Sequence, residues 1–248
     1  MATVVLVHPA WFGGWCWRDV APLLRAAGHD VYTPTLTGLG EREHLVSPEI
    51  TLSTHVTDVV NTCVFDDLKE ITLLGSSSGG TVITAVADRI PERIERLIYL
   101  DAFLPSHGQS TSDLIPPDRW AVLKQLVESE GEGWLLPRFA PASWESVVRD
   151  IWQVTDAAKL QWILPRLRPT PIKHFTEPIQ LTNTGGARPH LVYIRCPQGP
   201  APFDKPAALA RTSPDWTYRE LRVPHIPFVT HPKELVQVLT EVIAGRPT

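Results

Sequence analysis

The run Leu73-Leu74-Gly75-Ser76-Ser77-Ser78-Gly79-Gly80 joins two apolar segments of different kinds. Ile71 to Leu74 reads as a buried strand, and Thr81 to Ala87 as a helix that continues through Arg89. A strand that turns into a helix within five residues leaves no room for bulk, so Gly75 and Gly79 read as places where a Cβ would collide. Ser77, between them, is expected in a strained conformation with its side chain exposed. The helix N-terminus beneath it favours developing negative charge. A bare Gly-x-Ser-x-Gly is weak, because a serine-rich loop also produces it; the flanking strand and helix make Ser77 a candidate nucleophile.

The same alternation runs along the chain. Thr3 to Val7 is a wholly apolar strand, followed by the loop His8-Pro9-Ala10-Trp11-Phe12-Gly13-Gly14. Trp17, Val20, Leu23, Leu24 and Ala27 recur at helical spacing and predict one helix from Trp15 to Ala27, closed by Gly28. Asp30 to Tyr32 gives a strand, Val56, Val59, Val60 and Val64 mark a helix, and Ile94 to Leu100 is a strand ending at Asp101. Alternating strand and helix predicts an α/β fold, a doubly wound, mostly parallel sheet of about six strands flanked by helices.

From Phe103 to about Ala187 the grammar changes, with prolines, short amphipathic helices and the tryptophans Trp120, Trp134, Trp144, Trp152 and Trp162. We read residues 103–187 as an inserted helical cap at the C-terminal edge of the sheet, with 1–102 and 188–248 as the core of a single domain. An independent small domain is the competing reading. His190 to Arg195 and Trp216 to Leu221 restore strands, Ala207 to Arg211 is a short helix, and Pro232 to Ile243 closes the chain as a helix.

The chain has 248 residues and 43% apolar content, which suits one globular domain with a sizeable core. Its net charge of −4, with Lys and Arg scattered, argues against a nucleic-acid surface or a polybasic membrane anchor. The opening Met-Ala-Thr-Val-Val-Leu-Val-His has no basic n-region, and its apolar run is too short for a signal sequence or a membrane span. A cytoplasmic location is therefore expected. Cys16, Cys63 and Cys196 are odd in number and far apart, so neither a disulfide framework nor a metal site is suggested. The histidines show no metal-binding spacing, and no metal or cofactor is expected. The expected partner is a small-molecule substrate, and a homodimer is compatible with the sequence.

At this point the chain resembles the α/β-hydrolase superfamily, and within it the branch of plant methyl-ester-cleaving esterases, hydroxynitrile lyases and bacterial esterases. The resemblance rests on Val5-Leu6-Val7-His8-Pro9-Ala10 with Gly13-Gly14-Trp15, on Gly38-Leu39-Gly40, on Gly75 to Gly80, on Tyr99 to Pro105 and on the His225 segment. It covers nearly the whole chain and is weakest in the cap. The family order is serine, acid, histidine. His225, between the final strand and the terminal helix, fits the base; the rival His231 suits a structural role.

The acid is open. In most of the superfamily it follows the next-to-last strand, yet here that place reads Arg195-Cys196-Pro197-Gln198-Gly199-Pro200. Asp204 is the nearest carboxylate beyond it. Asp101, at the end of the strand after the nucleophile unit, is the alternative, matching where certain dehalogenases carry their acid. Its bland reading is a cap at the start of the insertion.

The resemblance implies oxyanion donors at the Ala10 and Ser78 amides, with Pro9 unable to donate. Trp11 and Phe12 are read as pocket walls, or as cover for the loop and cap base. Ser76, small beside the nucleophile, implies extra room or water there. The implied reaction is cofactor-independent hydrolysis of a carboxylic ester or lactone through an acyl-enzyme, the cap tryptophans pointing to an apolar or aromatic substrate or simply forming the cap's own core. Amide cleavage uses the same triad. Ile226 stands where lyases carry lysine, and Ser77 excludes a carboxylate nucleophile. A non-catalytic or slow-turnover binding protein is the reading of a different class.

Overall fold

Strands without a polar face must be covered on both sides, and Thr3–Val7 (β1), Ile71–Ser76 (β3) and Ile94–Leu100 (β4) are such strands. The computed structural model describes residues 1–137, 145–182, 189–199 and 201–245. In it these strands join Asp30–Tyr32 (β2), His190–Arg195 (β5) and Trp216–Glu220 (β6) in a six-stranded parallel sheet. The spatial order is β2-β1-β3-β4-β5-β6, as a doubly wound sheet requires.

Side-chain alternation sorts the core into two layers. Val4 and Leu6 of β1 pack on one face with Leu24 and with Leu235 and Leu239 of the C-terminal helix; Val5 and Val7 pack on the other with Val56, Val59, Val82 and Val86. Each such side chain contributes about 1.5–3 kcal/mol when fully buried. The helices supplying these faces are Ala21–Ala26 (α1), Leu52–Phe65 (α2) and Gly79–Arg89 (α3). The segment between β4 and β5 adds Pro117–Glu130 (α4), Ala157–Ile163 (α5) and Lys173–Thr176 (α6). Asp204–Thr212 (α7), Pro227–Thr230 (α8) and Pro232–Ala244 (α9) complete the series.

One expected helix is broken. Instead of running from Trp15 to Ala27, the chain makes a 3-10 turn over Gly14–Trp17 and then α1. Pro22 explains the break: it is tolerated in a first turn, whereas inside a continuous helix its ring would strike the Arg18 carbonyl. Gly28, at φ +88°, follows the end of α1.

The segment between β4 and β5 also carries a short antiparallel ladder, Leu135–Leu136 with Thr170–Pro171, and a π-helical turn over Val147–Ile151. It is tied to the sheet layer by backbone and side-chain bonds. The Trp11 amide donates to Thr170 Oγ1 at 2.9 Å, the Arg168 amide to the Trp11 carbonyl at 2.9 Å, and the Ser53 amide to the Glu177 carboxylate at 2.9 Å. Trp144 and the expected boundary near residue 187 lie outside the described residues. Among the described residues no helix is long and apolar enough to cross a membrane.

Candidate active site

β1 and β3 are neighbours whose onward connections lead to opposite sides, to β2 and to β4, so a crevice opens beyond their C-terminal ends. Val7 pairs with Gly75, and Ser76 with Leu100, which brings the residues after β1, β3 and β4 together at that edge. Trp11, Ser77 and Asp101 all stand at positive φ there, +67°, +53° and +44°. Such backbone conformations cost of order 1–2 kcal/mol each and persist where the surroundings enforce them.

At the elbow the enforcement is visible. A Cβ on Gly75 would lie 2.4 Å from the Gly79 carbonyl oxygen, so strand and helix approach only with glycine there. The Ser77 amide donates to the Leu100 carbonyl at 3.3 Å, and the Ser77 carbonyl accepts the Phe103 amide at 3.0 Å.

His225 lies in the loop after β6 and is 4% exposed. Its Nδ1 is 2.6 Å from Asp101 Oδ2; the carboxylate accepts, so Nδ1 carries the proton and Nε2 is the basic nitrogen. The ring stacks on Phe203, with centroids 4.8 Å apart and planes 11° from parallel. Asp101 is fully buried, and its Oδ1 accepts Arg195 Nη1 at 2.5 Å and the Cys196 amide at 3.1 Å. The structure thus brings Asp101 to His225, and Asp204 to Arg195 instead: Asp204 opens α7, is 69% exposed at its side chain and accepts Arg195 Nη2 at 2.8 Å. His231 sits at the N-cap of α9.

Ser77 and His225 line one cavity of about 350 Å³, together with Ala10, Trp11 and Ser78. Its further walls include Phe103, Ile115, Leu123, Trp152, Phe175 and Phe203, with Arg119, Val122 and Ile151 also contributing. Trp11 packs against Trp152 and Phe175 at centroid distances of 6.3 and 6.0 Å. Phe12 is elsewhere: it is 1% exposed in the core against Trp15, Trp152 and Phe228. Ser76 is fully buried off the cavity, with no hydrogen-bond partner for its hydroxyl among the described residues. Of the other described tryptophans in this segment, Trp120 packs on Phe175, and Trp162 meets Trp15 edge-on beneath Arg18 and Arg166.

The first loop is held by a neutral imidazole. The Leu36 amide can only donate, so His8 Nε2 accepts it at 3.1 Å, and Nδ1–H donates to the Pro9 carbonyl at 2.8 Å. Burial pushes the His8 pKa down to about 4, which keeps this arrangement at neutral pH. The Ala10 amide donates to Ser78 Oγ at 2.9 Å.

Arg195 is the residue that sequence reasoning passed over, although its signal was present. A cation closing a buried strand requires a carboxylate partner. Burial opposes its charge, but Asp101 and then Asp204 outweigh that, and its pKa is raised. Cys196 and Tyr193 beside it are pushed up by burial and then by Asp101, so both stay protonated.

The chain belongs to the alpha/beta hydrolase family, whose signature matches residues 4–238. It stands with the esterase-type members. It is 37% identical to a carbendazim hydrolyzing esterase of Nocardioides sp. (strain SG-4G), over 96% of this chain and 98% of the relative. It is 25% identical to methylesterase 3 of Arabidopsis thaliana, over 96% and 95% respectively. A solved extracellular alpha/beta-hydrolase from a Paenibacillus species, described as sharing structural and functional homology with tobacco salicylic acid binding protein 2, superposes with a TM-score of 0.85 at 27% identity, over 100% of both chains.

Proposed function

We propose that the protein is a serine esterase in which Ser77 is the nucleophile, His225 the general base and Asp101 the acid. The observation that carries this reading is the 2.6 Å bond between His225 Nδ1 and a fully buried Asp101, on an imidazole that shares a cavity with a strained serine. His225 Nε2 takes the Ser77 proton as Oγ attacks the ester carbonyl. Asp101 holds the tautomer and stabilises the imidazolium; that proton then passes to the departing alkoxide. Water activated by the same nitrogen releases the acyl group. The Ala10 and Ser78 amides hold the oxyanion, the Ser78 hydroxyl turning away from Ala10 as the acyl oxygen arrives.

The substrate is a small carboxylic ester or lactone with an apolar or aromatic part, because the cavity walls are mostly aromatic and aliphatic. The segment between β4 and β5 acts as a cap that shields the reaction from water, with Trp152 among its residues at the cavity. The relatives named for ester cleavage support the same class. We place the protein in the cytoplasm, in line with three free, buried cysteines.

Hydrolysis of a short p-nitrophenyl ester by Asp101→Asn and Asp204→Asn tests the acid. Asp101→Asn is expected to lower kcat by about 10³- to 10⁴-fold, as loss of the correct tautomer does, with a far smaller loss in Asp204→Asn. The opposite ranking would assign the acid to Asp204.

A further inference from the structure

We propose that Arg195 is a positioning residue that tunes the basicity of His225 through Asp101, an inference that rests on the triad above. Arg195 ends β5 beside Asp101 at the end of β4, since Leu100 pairs with Ile194 and the Asp101 amide donates to the Ile194 carbonyl at 2.8 Å. The guanidinium and the Cys196 amide occupy Oδ1 at 2.5 and 3.1 Å, which leaves Oδ2 turned toward His225. With Oδ1 held by a backbone amide and a guanidinium and Oδ2 by the imidazole, rotation of the carboxylate would break all three bonds. The same guanidinium donates to the Cys196 and Gly199 carbonyls, which sets the path of the loop after β5. That path is tight: a Cβ on Gly199 would lie 2.7 Å from Asp101 Oδ2 and 3.1 Å from His225 Cβ.

The electrostatic consequence follows from burial. The Asp101 side chain is 0% exposed and that of Arg195 5%, so little water screens either charge. An uncompensated buried carboxylate would favour the imidazolium strongly and hold the base protonated. Arg195 offsets part of that charge, so the imidazole faces less net negative charge than it would beside Asp101 alone. Asp204 draws on the guanidinium from the solvent side through Nε at 3.1 Å and Nη2 at 2.8 Å, and so moderates the effect. Among the described residues, the other charged or titratable groups around the imidazole are Arg119 of α4 on the same cavity, and the Tyr193 hydroxyl and Cys196 thiol, both neutral. A cation thus stands at the strand end where the family resemblance leads one to look for the acid.

The test is the pH dependence of kcat/KM on a short ester, with the released alcohol measured by chromatography, for the unaltered protein and for Arg195→Gln, Arg195→Lys and Asp204→Asn, each with its melting temperature. Arg195→Gln is expected to move the acidic midpoint up by about one pH unit. Arg195→Lys keeps the charge with fewer donors: the midpoint stays in place while kcat falls. Asp204→Asn moves the midpoint down. A folded Arg195→Gln with an unshifted midpoint and a rate loss equal at every pH would show a scaffold role and overturn the proposal. If Arg195→Gln does not fold, Asp204→Asn decides: a downward shift supports the proposal and no shift overturns it. Full activity in Asp101→Asn would instead remove the triad reading itself, whichever way the Arg195 variants behave.

Discussion

The hydroxyl of Ser78 accepts the amide of Ala10, a donor that the proposed mechanism assigns to the oxyanion. It satisfies a buried donor, and in the proposed mechanism it competes with the acyl oxygen for that donor. If the backbone amides are the oxyanion donors, Ser78→Ala keeps kcat/KM within about threefold, whereas losing a true donor costs roughly 100-fold or more. A loss of the larger size in Ser78→Ala would make the hydroxyl a donor. Ser77 and His225 could be singled out from their order in the chain, because an elbow and a post-strand loop are local patterns. Which carboxylate Arg195 and His225 would meet could not, since that depends on which residues face each other across β4 and β5. The same limit applies to Phe12 and Ser76: one residue of shift from Trp11 or Ser77 turns a side chain from the cavity into the core.

Between elements, the contact with a definite protonation pattern is that of α2 with α6. The Thr37 carbonyl fixes His55 Nε2 as a donor at 2.9 Å, so His55 Nδ1 accepts and His174 Nδ1 donates across 2.8 Å. His174→Leu nearly keeps the volume but leaves a buried acceptor without its donor, at a cost of about 1–3 kcal/mol. For a domain of this size that lowers Tm by roughly 2–4 °C per kcal/mol. An unchanged Tm would show that the pair contributes nothing net. Such a bond joins residues 119 positions apart and leaves no periodic trace in the sequence. The strands and long helices, by contrast, were legible from apolar runs. The helix expected over Trp15 to Ala27 was misread because the apolar spacing continues across a proline that the backbone cannot pass.

Across the whole molecule, three buried imidazoles make folding sensitive to acid. Burial lowers His8 to about 4, lowers His55, and lowers His174 well below the ordinary value, neighbouring His55 and His8 adding to the last. The folded chain refuses protons that the unfolded chain binds below about pH 6.5, so stability is intact above that value and falls as pH drops toward 4. His8 alone accounts for about 3 kcal/mol over that window. Urea unfolding at pH 7 and at pH 5 is expected to show the decline, with uptake of about two to three protons on unfolding near pH 5.5. Equal stability at both values would mean that these side chains are charged or exposed in the fold. The central claim concerns one oxygen in a run of three serines, and a fluorophosphonate finds it directly. Native protein treated with the reagent and mapped by tandem mass spectrometry is expected to carry the adduct on Ser77 and to lose activity in step with labelling. An adduct on Ser76 or Ser78, or full activity in a stoichiometrically labelled protein, would contradict the account.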